Sequence, residues 1–165
     1  MLKKNIFLYL LLYLFLIYIL IFFYLIFFYD NIFYLSDNMY STPKEHNLKL
    51  VFNIILNNLK NFISYLFLFP LMPLFWIIDL FSITWEIYIG IKSIGLYNTF
   101  DKLFPHIIIE LPNYIIYSYI SYCLMLNFYK FKYNKILKIY SKYKGVLLIN
   151  IIFIIISGFI EGLIS

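Results

Sequence analysis

The sequence predicts an all-α fold: a polytopic transmembrane helical bundle of about five membrane segments, two of them forming a proline-broken hairpin. Three observations predict it. Of 165 residues, 64% are hydrophobic and 24% aromatic, whereas a water-soluble domain is nearer half apolar. The apolar residues fall in long uncharged runs. The lysines gather at the ends of those runs, as they do where charge sets the orientation of membrane helices.

The net charge of +5 comes from lysine alone, since the chain has no Arg. In a soluble protein such a balance would hint at nucleic acid. Beside apolar runs it reads as topology instead, and no nucleic-acid partner is expected. Ala and Gln are also missing, while Ile, Leu, Phe, Tyr, Asn and Lys abound. That composition points to coding DNA rich in A and T, so the wealth of aromatic and Asn residues is weak evidence of function.

The first block, residues 1–29, reads as an N-terminal transmembrane anchor. Asn5 to Tyr29 is uncharged and follows Lys3 and Lys4; at about 1.5 Å per residue it crosses a layer of about 30 Å with some tilt. A secretory signal would have a shorter apolar stretch and a small-residue cleavage site. The run ends Phe-Phe-Tyr-Asp-Asn, so an anchor that stays is expected.

Residues 30–62 read as a polar loop and an interfacial amphipathic helix. Asp30 to Lys49 carries turn signals, with Ser41 or Thr42 as a helix cap ahead of Pro43. From Leu48 to Phe62, apolar Leu48, Val51, Phe52, Ile55, Leu59 and Phe62 recur at helical spacing. Asn57, Asn58, Lys60 and Asn61 supply the opposite, polar face.

The membrane domain is expected over 63–165. Ile63 to Ile91 is apolar but holds Pro70, Pro73, Asp79 and Glu86, and each proline removes a helical hydrogen bond. Lys130, Lys132, Lys135, Lys138, Lys142 and Lys144 follow without an intervening acid, which places that loop in the cytoplasm together with the N-terminus. Pro105 to Phe128 is one span and Asn5 to Tyr29 another, so Ile63 to Ile91 crosses twice. The last segment, Gly145 to Ser165, crosses once more and leaves the C-terminus outside. Its Gly158 and Gly162 form a small-xxx-small pair suited to close helix packing. Cys123, the one cysteine, reads as a small buried hydrophobe.

Chemistry-bearing residues are few. His106 and Glu110 lie four apart on a helix expected to start at Pro105, so they share a face. Two ligands fall short of the three that a zinc site takes from protein; no metal, cofactor or catalytic residue is assigned. Asp79 and Glu86, seven apart, would lie two turns apart on one helix face, without the motif of an intramembrane aspartyl protease. The serines lack a glycine-framed elbow, no phosphate-cradling glycine loop is present, and no internal repeat suggests a transporter.

Three pieces of the chain carry a resemblance. Pro105-His106-Ile107-Ile108-Ile109-Glu110-Leu111-Pro112 is similar to the Pro-His-Gly-x-x-Glu-Leu-Pro signature of the stage II sporulation protein M family of bacterial membrane proteins. Phe52 followed by Asn57-Asn58 resembles that family's Phe and paired Asn before its second membrane segment. Ile160-Glu161-Gly162 resembles its closing Ile-Glu motif. Together they cover about residues 48–165. Ile107 stands where the family has Gly, and the family's Asn-Gly appears only as Gly90 after Trp85-Glu86.

The resemblance implies a non-enzymatic, multi-pass protein of the cell membrane of a Gram-positive bacterium. Its polar motif would be Asn57, Asn58, Pro105, His106, Glu110, Pro112 and Glu161. The implied role is a scaffold that recruits other membrane or extracytoplasmic proteins, as sporulation members do with peptidoglycan-degrading partners. Small relatives beside circular bacteriocin genes imply the alternative, export of or immunity to a hydrophobic, cationic peptide.

Overall fold

The computed structural model describes residues 2–27 and 48–164, with side chains except at 2–5, 50, 102–107 and 161–164. The expected cap at Ser41 or Thr42, and His46, lie outside these residues. The elements in order are α1 (Leu2–Phe27), α2 (Leu48–Phe67), a 3-10 turn (Phe69–Leu71), α3 (Met72–Ile94), α4 (Leu96–Tyr129) and α5 (Tyr133–Ile164). All are helical among the described residues. Helix closes its own backbone hydrogen bonds, which a chain this apolar needs wherever it meets lipid.

Among the described residues three helices are long and apolar enough to cross a membrane: Ile6–Phe27, Phe69–Ile94 and Tyr133–Ile160. The helix containing Pro105 to Phe128, expected to be a span, is not among them. Between Pro105 and Phe128 it carries Asn113, Ser118, Ser121, Asn127 and four tyrosines, and most of those polar groups point into protein.

The chain divides into two compact units. One comprises the described parts of Met1–Glu45 with Ile77–Phe104; the other comprises the described parts of His46–Trp76 with Pro105–Ser165. The blocks read from the sequence (1–29, 30–62, 63–165) are therefore not the packing units. The boundaries fall inside α3 and α4, because contacts between helices rather than runs of composition define a compact unit.

In the first unit, α1 exposes apolar side chains around most of its circumference, Leu8 at 67% and Phe15 at 59% among them. Such exposure would be costly in water and suits lipid. Two α1 tyrosines are buried, Tyr13 completely; the Tyr24 ring lies 5.4 Å from Trp85 and 5.6 Å from the fully buried Tyr88. Gly95, with φ of +83°, ends α3 in the left-handed conformation that glycine adopts at no steric cost. The chain then doubles back so closely that a Cβ on Gly90 would lie 2.7 Å from Thr99. Gly90 thus makes a close approach within this chain.

The second unit is a three-helix bundle. Asn58 meets Glu110, Tyr65 meets Tyr117, and Phe69 meets Phe128, so α2 and the second half of α4 run parallel. α5 runs antiparallel to α2: Tyr140 donates to the Leu66 carbonyl, and Gly158 faces Ile55. A Cβ on Gly158 would clash with the Ile55 side chain, which fits the close packing expected at Gly158; the surroundings of its expected partner Gly162 lie outside the described residues. Cys123 is half-buried and free.

Three details depart from the sequence reading. The amphipathic helix runs on to Phe67 and buries Val51 and Phe62, but leaves Leu48 and Phe52 exposed. Pro70 sits in the 3-10 turn, while Pro73 falls in the first turn of α3, where a missing N–H costs nothing. Tyr65 and Phe75 are ten residues apart yet their rings lie 5.8 Å apart. A straight helix would separate them by about 15 Å, so the chain bends sharply at Pro70.

The third correction concerns Pro105, which does not start a helix. α4 begins at Leu96, directly after Gly95, and keeps both Pro105 and Pro112 inside it. Gly95 is the stronger stop signal, and Thr99 closes the first turn through its N–H and its hydroxyl, both donating to the Gly95 carbonyl. Each proline then leaves the carbonyl four residues earlier without its usual helical donor.

Candidate functional site: a polar seam between α2 and α4

The seam follows from helical spacing. Glu110, Asn113, Tyr114, Tyr117, Ser118 and Ser121 recur at steps of three and four and so share one face of α4. On α2, Asn58 and Tyr65, two turns apart, form the matching face.

At one end Asn58 Nδ2 donates to Glu110 Oε1 at 3.0 Å, across 52 residues of sequence. One turn on, the Tyr65 and Tyr114 hydroxyls share a hydrogen bond at 2.9 Å. The rings of Tyr65, Tyr114 and Tyr117 meet edge to face at 5.3–5.7 Å, the arrangement aromatic quadrupoles favour. At the far end Ser121, fully buried, donates to the Tyr65 carbonyl at 2.6 Å. On the α5 side, buried Asn113 donates to the Asn150 carbonyl at 3.3 Å. Asn113 Oδ1 and Asn150 Nδ2 have no partner among the described residues.

The structure therefore brings Asn58 and Glu110 together, as motif pieces far apart in sequence. Asn57 turns outward and is exposed, as is Pro112. The side chains of Pro105, His106 and Glu161 lie outside the described ones, so the expected His106–Glu110 face goes untested. Among described residues no cluster of three or more His, Cys, Asp or Glu could hold a metal. Asp79 and Glu86 lie on one continuous helix, Asp79 half-buried and Glu86 exposed. Their Cα atoms are about 10 Å apart along the axis, too far to share a proton as carboxylates about 3 Å apart do.

Sequence reasoning missed Tyr65, Asn113, Tyr114, Ser121 and Asn150. A signal for most of them existed: polar atoms recurring every three or four residues along α4, inside an otherwise apolar run. Chemically the seam orients groups. An amide neither gives nor takes a proton near neutral pH, so Asn58 fixes the Glu110 carboxyl in place, and the bond strengthens when that carboxyl is ionised.

Fold and seam define a class: an all-helical protein with three helices able to cross a membrane and a hydrogen-bonded polar core in one of its units. No family model matches the chain, and neither does any curated protein or solved structure.

Proposed function

We propose that this chain is a non-enzymatic, multi-pass membrane protein resembling the stage II sporulation protein M family, serving as a scaffold or recruiting subunit of a membrane complex. The observation that carries the reading is the Asn58–Glu110 hydrogen bond. It joins the paired-Asn piece and the Pro-His-x-x-x-Glu-Leu-Pro piece, which resemble that family separately and lie 52 residues apart. A polar pair that locks two helices in register is what a scaffold needs to present a defined surface to partners.

The membrane segments number five in this reading, with the N-terminus and the stretch Lys130–Lys144 in the cytoplasm; that stretch, expected as a loop, is the α4–α5 turn and the start of α5. The hairpin is Ile63 to Ile91: the chain enters from the end of α2, turns at Pro70, and α3 returns. Two observations support the hairpin. α2 and α4 run parallel within their unit, so the chain between them has to be carried back. The Phe69 ring lies 5.7 Å from Phe128, and Tyr129 donates to the Pro70 carbonyl at 3.0 Å; the Pro70 turn thus shares an end with the lysine loop. Glu110 then stands about 27 Å along α4 from Phe128, near the outer edge of the hydrocarbon and within reach of extracytoplasmic partners.

Loss of the gene is expected to impair sporulation at engulfment and to release a peptidoglycan-active partner from the membrane fraction. Normal engulfment in the deletion strain would sink the sporulation version. The second reading is a component for export of, or immunity to, a circular bacteriocin. The acids Asp79, Glu86 and Glu110, inside otherwise apolar segments, favour it as contacts for a cationic peptide. Neutralising all three without changing peptide tolerance would count against it.

A further inference from the structure

One end of the three-helix unit combines positive charge with exposed apolar surface. Lys130 and Lys132 flank the α4–α5 turn, and Lys135, Lys138 and Lys142 follow on α5, all exposed. Steps of three and four place the last three on one face of α5, over about 10 Å of helix. The opposite side of α5 is anchored in protein: Tyr143 is buried, and the Tyr140 hydroxyl bonds the Leu66 carbonyl. The lysine face therefore points away from the bundle.

Around these lysines lies an apolar rim. Phe131 is 80% exposed, and Tyr129, Tyr133 and Leu137 are exposed too. Ring contacts tie Phe128 to Tyr133 at 5.9 Å and Phe131 to Tyr133 at 6.4 Å. Phe67, Leu68 and Leu71, beside the Pro70 turn, are exposed at the same end. None of these five lysines, nor Lys144 beyond them, pairs with a carboxylate among the described residues, and no acid lies between Lys130 and Lys144.

We infer that this end of the unit is a binding surface for anionic phospholipid headgroups. The lysines meet the headgroup phosphates while the aromatic rim and Leu137 sink to the acyl boundary. Charge decides the occupant. Concentrated positive charge without internal counter-ions needs an anion, and apolar side chains directly beside it need hydrocarbon; an anionic bilayer surface offers both at that spacing. The inference rests on the reading of the chain as a membrane protein and adds a lipid preference with an address.

The test uses the full-length protein in vesicles of phosphatidylcholine alone or with a minor share of phosphatidylglycerol. After mild detergent extraction, the lipid retained per protein is counted by native mass spectrometry. Wild type is expected to retain phosphatidylglycerol well beyond its share of the vesicle. Lys135→Gln, Lys138→Gln and Lys142→Gln combined is expected to cut that enrichment by roughly tenfold or more at low salt, since each lysine near the surface contributes about fivefold. The matching triple Lys→Arg variant keeps the enrichment, and so does Lys60→Gln, which removes an exposed charge on α2. An enrichment unchanged in the triple Gln variant would overturn the inference. A wild-type chain that floats with neither vesicle would overturn the membrane reading beneath it.

Discussion

The two compact units differ in how far their polar groups reach. In the unit built from α1 and the α3–α4 turn, hydroxyls bond inside their own helices. Thr84 donates to Leu80, Ser93 to Ile89 and Thr99 to Gly95, a one-turn back-bond that needs no neighbour. In the unit of α2, the second half of α4 and α5, back-bonds of that kind occur too, at Ser118, Asn127 and Ser157, but polar groups also bond across helices: Asn58 to Glu110, Tyr65 with Tyr114, Ser121 to Tyr65, Asn113 to Asn150. Back-bonds silence a hydroxyl; cross-helix bonds specify which helix lies where. Ring packing around Tyr24, Trp85 and Tyr88 marks the first unit, and cross-helix register marks the second.

The strongest way to break the second unit is at its closest contact. Gly158→Leu would drive a side chain into Ile55 and should destabilise the protein by about 3 kcal/mol, with partial rescue by Ile55→Ala. Unfolding in mixed detergent reads both. Next comes the seam. A double-mutant cycle of Asn58→Leu and Glu110→Leu should show a coupling of about 1 kcal/mol, in the range of polar pairs between membrane helices. A coupling of zero would reduce the motif match to coincidence.

The turn after α4 offers a gain instead. Phe131 holds φ of 55° while Lys132 N–H bonds the Asn127 carbonyl and Phe131 N–H the Phe128 carbonyl. That is a Schellman cap with phenylalanine where glycine is the usual residue. Phe131→Gly should stabilise the fold by about 1 kcal/mol in detergent, because the side chain is exposed and little packing is lost. The smallest effect belongs to the first unit: Leu12→Val on α1, at an exposed position, should change stability by less than about 0.5 kcal/mol. A larger loss there would mean that α1 packs as specifically as the seam.

How much of this was legible follows from what each residue depends on. The helical class, the apolar N-terminal span and the break near Pro70 are local properties, and composition and proline chemistry carry them. The sequence predicts about five membrane segments, whereas three helices among the described residues are long and apolar enough to cross. The close contact at Gly158 was legible because a small residue at a helix surface has few other uses. The start of α4 was not, since Gly95 outweighs Pro105 and a single glycine in an apolar stretch gives little warning. Asn58 and Glu110 could be named from motif pieces, but their bond joins residues on separate helices. Tyr65 and Asn150 escaped because the abundance of Tyr and Asn hides the few that are structural, and Ser121 because its bond to the Tyr65 carbonyl joins separate helices.

The central claim is that the Pro70 turn and the lysine loop lie on the same, cytoplasmic side of a membrane, which five segments require. Single cysteines at Leu71, Lys92 and Lys138, in a chain with Cys123→Ser, test it with a membrane-impermeant thiol reagent. The account predicts labelling of the Lys92 site in intact cells, and of the Leu71 and Lys138 sites only after permeabilisation. Labelling of the Leu71 site from outside would contradict the hairpin. The seam's Glu110 would then need a different depth and a different set of partners.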